Sequence, residues 1–266
     1  MTTLGHDIRE LLHEQVVYRE LLAEMVKRDL TLRYKQTIMG FGWAIFMPLV
    51  NTAVFSVVFM RVAPMDTGVP YPLFAYCGLW AWNLLASSLR FSVVSLTSNT
   101  SLVTKVYFPR EIFPFSAIAV CMVDFIVGAS VLALLMAWFH VVPGVNAFWL
   151  PVVLLVQVAI TAAAGLLLSM ANLFYRDVKY LFEVVLTVWM FATSVVYPVQ
   201  LVGGRLGALL GLNPMTPVID GYRAVLLRNQ SPLTPAFLGA AALSMVLLAA
   251  AWVIFHRAEY TFAENV

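Results

Sequence analysis

The sequence predicts an all-α integral membrane protein. It has six transmembrane helices, an N-terminal amphipathic interface helix and short re-entrant helices before the last span. Three observations predict this. Hydrophobic residues make up 62% of the 266-residue chain and charged residues only 11%, against about 25% charged in a soluble domain. Mean hydropathy is +0.88, more apolar surface than one soluble core can absorb. The charges that remain fall into short clusters between long apolar stretches.

The chain divides into an interface segment, 1–36, and a transmembrane domain, 37–266. In the first, Tyr18, Leu21, Leu22, Met25, Val26 and Leu30 recur at helical spacing. Arg19, Glu20, Glu24, Lys27 and Arg28 take the other face, as in a helix lying on a membrane. It reads as an anchor, a docking surface for a cytoplasmic partner, or both. The first forty residues lack the apolar core of a cleavable signal.

A crossing needs about 20 mostly apolar residues. Residues 38–60 carry no charge and form the first span. Pro64, Gly68 and Pro70 punctuate a loop, and the second span runs over 71–95. The third covers 112–139, with Asp124 inside it. Pro143, Gly144 and Pro151 break the run, and the fourth ends near Phe174. A charged turn, Arg176, Asp177 and Lys179, leads to the fifth, 182–202. The segment 203–232 has two apolar stripes separated by Asn213-Pro214 and Pro217, the pattern of two short helices dipping into the membrane or of an external amphipathic helix. The sixth span covers 233–255.

Basic residues orient the bundle. Eleven lie in the N-terminal segment, the 96–111 loop, the 175–181 turn and the tail. Only Arg61, Arg205, Arg223 and Arg228 fall on the other side. The positive-inside bias puts both termini in the cytoplasm, as an even number of spans requires.

Nucleotide and metal chemistry leave no mark. None of the four lysines is followed by Ser or Thr, so there is no phosphate loop, and neither HExxH nor CxxC occurs. His6, His13, His140 and His256 sit near ends and boundaries, so no metal centre is expected. Cys77 and Cys121 lie in apolar runs and read as packed small side chains, with an interhelical disulfide as the lesser reading. Asp124 is the one clear intramembrane acid, either hydrogen-bonded for structure or lining a path. The aromatics of the spans serve as packing and interface anchors, or as a stacking surface for sugar rings.

Five segments, in order, resemble the membrane subunits of type-2 ABC exporters that carry polysaccharides, including O-antigen, capsule and teichoic-acid exporters. They are RDLTLRYKQTIMGFGWAIFMPL at 28–49, YPLFAYCGLWAWNLLASSL at 71–89, NTSLVTKVYFPREIFP at 99–114, FYRDVKYLFEVVLTVWMF at 174–191 and LNPMTPVIDGYRAVLL at 212–227. The resemblance implies a homodimer around a central channel in the bacterial cytoplasmic (inner) membrane. Two cytoplasmic ATPase subunits bind the ATP and magnesium, while this chain is no enzyme and holds no cofactor. The cargo is a lipid-linked glycan, with membrane lipids and no nucleic acid as further partners. A small hydrophobic compound (drug, haem or antibiotic) is the alternative cargo within the class. A glycan-assembly enzyme or scaffold and an ion-coupled carrier are the readings outside it.

The resemblance also implies residue roles. The 96–111 loop carries an ATPase-coupling helix near 98–107, with Asn99, Leu102, Lys105, Arg110 and Glu111. The turn at Arg176 and Asp177 is a second contact. Arg28, Asp29, Arg33, Tyr34 and Lys35 frame the entry of the lipid head. Phe55, Phe59, Trp80, Trp82 and Trp189 line the channel. The 203–232 segment is an outer gate, with Asn213, Pro214, Tyr222 and Arg223.

Overall fold

The computed structural model describes residues 17–35, 40, 42–62, 64–105, 108–198 and 202–262. Arg9, His6, His13 and Tyr107 lie outside the described residues, as does the side chain of Lys105. Ten α-helices and no strand occur among the described residues. They are α1 (Arg19–Tyr34), α2 (Gly42–Val57), α3 (Tyr71–Ser98), α4 (Thr100–Lys105), α5 (Ile112–Trp138), α6 (Leu150–Phe174), α7 (Val178–Phe191), α8 (Gly204–Gly211), α9 (Met215–Leu227) and α10 (Pro235–Ala258).

Among the described residues, three helical stretches are long and apolar enough to cross a membrane: Ile112–Trp138, Val145–Phe174 and Pro235–Thr261. A shorter apolar helix covers Ile45–Arg61, where α2 runs into a π turn at Val58–Val62. At 28 residues α3 spans about 42 Å, yet it carries Asn83, Ser87, Ser88, Arg90, Ser92 and Ser95. That polarity fits its position, for 20 of its residues are buried by the rest of the chain.

Helix α3 is the axis of the bundle, packed by α2, α5, α6, α7 and α9. Its neighbours are fastened by hydrogen bonds as well as by shape. Trp80 Nε1 donates to the Phe125 carbonyl at 2.8 Å and the Tyr76 hydroxyl to that of Gly128 at 3.0 Å. From α6, Gln157 donates to the Ala81 carbonyl at 2.6 Å and Asn172 to that of Val93 at 2.9 Å. Such interhelical bonds supplement van der Waals contact where lipid removes the hydrophobic drive for association. Small residues permit the approach. A Cβ on Gly128 would sit 2.8 Å from the Trp80 ring.

The bundle has two distinct ends. At one, Met25 of α1, Val103 of α4, Phe113 of α5, Leu173 of α6 and Phe255 and Phe262 of the C-terminal segment form a compact apolar cluster. At the other, Asn146 donates to the Asn229 carbonyl at 2.8 Å, joining the loop after α5 to the loop after α9. Helix α10 starts at that end, with Thr234 accepting from Phe237 N and Pro235 opening the first turn.

Helix α1 does not stay at the mouth of the bundle. Ser116 contacts Asp29 at 3.5 Å and, further along α5, Asp124 pairs with Arg33. The end of α1 therefore climbs α5 and stops beside its middle, about 18 Å from the start of α5.

The fifth expected span, 182–202, is not one helix. Helix α7 has 14 residues, ends at Phe191, and is followed by turns to Tyr197. Composition continues apolar through Val195 and Val196, which is why the sequence reads as a longer span. The Thr193 hydroxyl donates back to the Trp189 carbonyl, and Pro198 disfavours helix before it. Every carbonyl from 191 to 196 still has a donor. Tyr197 OH serves Phe191, Asn213 Nδ2 serves Ala192 and Val195 N serves Thr193. Arg223 serves Ser194 and Val195, and Tyr71 OH serves Val196.

Arg223 is 1% exposed. Its guanidinium also reaches the Phe74 carbonyl and Asp220 and lies 3.5 Å over the Phe74 ring. Removing a buried charge of this kind from its partners costs about 3–5 kcal/mol. For Arg223→Ala we expect a detergent melting temperature lower by about 10 °C. Arg223→Lys should recover only part of it, since an ammonium cannot fork to several carbonyls. A melting curve of Arg223→Ala that overlays the wild type would show that this network does not hold the turn.

Candidate functional site

A cavity of about 540 Å³ opens between the end of α1, the start of α2, the middle of α3 and α5. Its lining mixes polar and aromatic groups: Arg33, Tyr34, Trp43, Asn51, Trp80, Asn83, Arg90 and Asp124. Arg33 Nη2 lies 2.8 Å from Asp124 Oδ2, and Tyr34 OH donates to the other oxygen of Asp124. Burial, then that hydrogen bond, pushes the Tyr34 phenol well above its ordinary value, which keeps it a neutral donor. The Arg33 guanidinium also lies 4.5 Å over the Phe91 ring. Asp124 thus sits in an ion pair with a neighbouring hydroxyl.

Arg90 pairs with Glu183 of α7 at 3.0 Å, both side chains about half exposed. Such a pair is worth roughly 0–1 kcal/mol and exchanges partners at little cost. On the opposite wall Trp80 stacks on Phe125 with ring centres 3.9 Å apart. The site therefore offers two guanidinium groups, amide side chains and flat aromatic faces in one recess.

The other expected site residues divide between the two ends. Arg28 Nη2 donates to Asn99 Oδ1 at 3.0 Å, tying α1 to the junction of α3 and α4. Leu102 is half-buried in the apolar cluster there. Arg110 donates to the Val103 carbonyl of α4 at 3.1 Å and to the Glu259 carbonyl at 2.8 Å, so α4 is fastened to the C-terminal segment. Glu111 is fully buried. Arg176 and Asp177 are exposed in the turn between α6 and α7, and Lys35 is exposed just past α1.

Phe55 and Phe59 stack along α2 with centres 6.3 Å apart, and Phe59 meets Tyr71 at 5.5 Å. Trp82 is 3% exposed and packs edge-on against Trp189. Trp189 in turn donates to Asn213 at 3.0 Å. Tyr222 is buried against Trp80 and Phe125. Pro214 precedes α9, and Asn213 and Arg223 hold the end of α7 as described above. Cys77 and Cys121 are free and buried.

Sequence reasoning missed two constellations. One is the Arg33–Asp124 pair. The lone acid of the third span needed a cation, and the basic run at 33–35 supplies the nearest one across the first junction. The other brings Glu111, His256 and Glu259 together. Its only sequence signal is the i,i+3 spacing of His256 and Glu259.

Residues 20–227 match the model of the ABC-2 type transporter family. An O-antigen export system permease protein RfbA from Myxococcus xanthus is 30% identical over 259 residues, covering 96% of this chain and 99% of that protein. Two proteins of that name from Klebsiella pneumoniae are 26% and 25% identical over 250 residues, each covering 92% of this chain and 94% of the relative. With a family match over most of its length and an end-to-end relative beside it, this multi-pass membrane chain belongs to the ABC-2 type transporter family as a permease.

Proposed function

We propose that the chain is the channel-forming permease of an ATP-driven exporter that moves a lipid-linked polysaccharide of the O-antigen kind across the bacterial cytoplasmic membrane. It acts as a homodimer with two cytoplasmic ATPase subunits, which carry the ATP and magnesium. It crosses the membrane six times, through α2, α3, α5, α6, α7 with its following turn, and α10. Both termini are cytoplasmic, and α8 and α9 form an outer gate around Asn213, Pro214, Tyr222 and Arg223.

The observation that carries this reading is the cavity. Arg33 and Arg90 face one recess, and each already holds a carboxylate. A phosphate-bearing lipid head likewise offers a pair of anionic oxygens that a planar guanidinium can bind through two parallel hydrogen bonds. Exchange at Arg90 costs little, because the Glu183 pair is exposed. Lys35, exposed one residue past Tyr34, adds positive charge near the recess, whereas the charge of Arg28 is matched by Asp29 at 2.8 Å. Phe55 and Phe59, with Trp189 and the exposed Trp43 of the cavity wall, then supply aromatic faces suited to the CH face of successive sugars without fixing any one hydroxyl, whereas Trp80 and Trp82 are buried by the chain itself and back that surface as packing. The names of the relatives support the cargo.

Coupling is a population shift. ATP favours the closed ATPase pair, and contacts at Asn99, Leu102, Lys105, Arg176 and Asp177 pass that bias to the spans, with Arg110 and the buried Glu111 bracing α4 from within the chain. A second reading takes a small hydrophobic compound as cargo. The cavity volume favours it, since about 300–1,000 Å³ is the range of small-molecule sites.

Export by the chain reconstituted with its ATPase, using a fluorescent lipid-linked glycan, separates these readings. We expect Arg33→Ala to cut export about tenfold, with ATP hydrolysis within about twofold of wild type. A swapped pair, Arg33→Asp with Asp124→Arg, should not restore export. Full restoration by the swap would make the pair purely structural, and drug-stimulated rather than glycan-stimulated hydrolysis would move the assignment to the second reading.

At the exposed turn, Arg176→Glu together with Asp177→Arg should weaken co-purification of the ATPase about tenfold, through a few lost charge contacts. The melting temperature of the permease alone should not change. Undiminished recovery of the ATPase on this variant would remove the turn from the interface.

A further inference from the structure

Three metal-ligating side chains converge at the end of the bundle that holds α4. Glu111 lies just before α5, while His256 and Glu259 are one turn apart at the end of α10. His256 Nδ1 is 3.4 Å from Glu111 Oε1 and 3.7 Å from Glu259 Oε2. One donor atom from each residue lies within 4.8 Å of the others.

Glu111 has no exposed surface, and neither carboxylate oxygen accepts a hydrogen bond. A carboxylate buried in that way needs a cation or a proton. The separations favour a shared cation. A charge-assisted N–H···O bond brings its atoms to about 2.7–2.9 Å. Two ligands each about 2.0–2.2 Å from a tetrahedral ion stand roughly 3.3 Å apart. The imidazole and the two carboxylates keep the second kind of spacing.

The neighbouring charge does not compete for the same atoms. Arg110 engages Glu259 through Oε1, by its backbone N–H at 3.0 Å and its guanidinium at 3.7 Å. Glu259 Oε2 is the oxygen that faces His256. Among the described residues, the two carboxylates of the cluster face one guanidinium, that of Arg110, an excess of negative charge that attracts a divalent ion. One imidazole and two carboxylates are a donor set that zinc accepts, with an open position left for solvent.

We propose that Glu111, His256 and Glu259 form a divalent-cation site of the zinc class. The ion ties the end of α10 to the loop behind α4, beside the Arg110 bridge between Val103 and Glu259. An effect on coupling rests on the reading of α4 as ATPase-facing, whereas metal binding does not.

The test uses the full chain, purified on a tag without histidine, stripped with a chelator and titrated with zinc alone against a chromogenic competitor. About one zinc per chain is expected, with zinc raising the melting temperature. His256→Ala and Glu259→Gln should each lose at least tenfold in affinity, the scale on which even supporting-shell changes act. His256→Cys should restore zinc binding, while His140→Ala, with His6 and His13 also changed to Ala, should leave it intact. The zinc-induced rise should vanish in His256→Ala, a variant whose gel-filtration profile reports folding separately. Failure of the wild type to bind zinc, affinity in Glu259→Gln or His256→Ala undiminished from the wild type, or loss of binding only in the His6 and His13 variant would each overturn the proposal. Export readouts are not involved, so the cargo assignment and this site fail independently.

Discussion

Inside a membrane bundle, a carbonyl that loses its helical partner has no water to turn to, and Arg223 answers this for Ser194 and Val195 while also reaching the Phe74 carbonyl on α3. Only a guanidinium can do so from one side chain, because its donors fan out in a plane. The geometry then dictates its surroundings. A Cβ on Gly78 would fall 2.2 Å from the Val195 carbonyl oxygen and 2.3 Å from the Arg223 guanidinium, so the position on α3 must be glycine. Asn213 completes the arrangement by capping Ala192 and accepting from Trp189 and Met215. The non-helical turn after α7 and the start of α9 are thus one hydrogen-bonded unit mounted on α3.

That unit and the polar cavity share the same axis. Tyr222, next to Arg223, packs on Trp80 and Phe125, and Trp80 forms a wall of the cavity that Asp124 and Arg33 also line. A change in the cavity that moves Trp80 therefore presses on α9 through close-packed rings, and packed interiors transmit strain because they have little free volume. Trp80 is also pinned by its bond to the Phe125 carbonyl, so the rings move with α5 and not alone. Under the proposed function this gives cargo at the α1 side a mechanical route to the segment around Asn213.

The sequence carried the helical character and most helix boundaries, because apolar length and punctuating prolines, glycines and charges are local signals. Helix α3 was legible as 71–95 even with its serines, since Pro70 and the charged loop bound it. The break after Phe191 was not legible. Val195 and Val196 look like span, and what stops the helix is a set of donors from Tyr71, Asn213 and Arg223, distant in sequence. The candidate site was legible in its residue types and not in its pairings. Arg33 and Asp124 stood out separately, while their contact depends on α1 climbing α5, which amphipathic periodicity cannot reveal. His256 was set aside because spacing along the chain says nothing of Glu111, more than a hundred positions away.

The climb of α1 bears on what the cavity can discriminate. A surface helix lying flat would leave the recess open to lipid along its whole side. Here Arg28 is fixed to Asn99, Asp29 to Ser116 and Arg33 to Asp124, so α1 closes the flank by α5, and α2 forms a further wall through Trp43, Met47 and Asn51. Exposed apolar side chains stand on α2 (Phe46, Met47 and Val54) and α7 (Val184, Val185 and Val188), as they also do on α5 and α10. Arg90 and Glu183, about half exposed, stand on the α7 side. Under the proposed function, a lipid-borne head arriving there meets the weakly held pair first and the more buried Arg33–Asp124 pair second. Exposed pairs exchange cheaply and buried ones do not. The order of encounter therefore places a low barrier at capture and a higher one at commitment, which suits a permease that must hold its cargo until ATP acts.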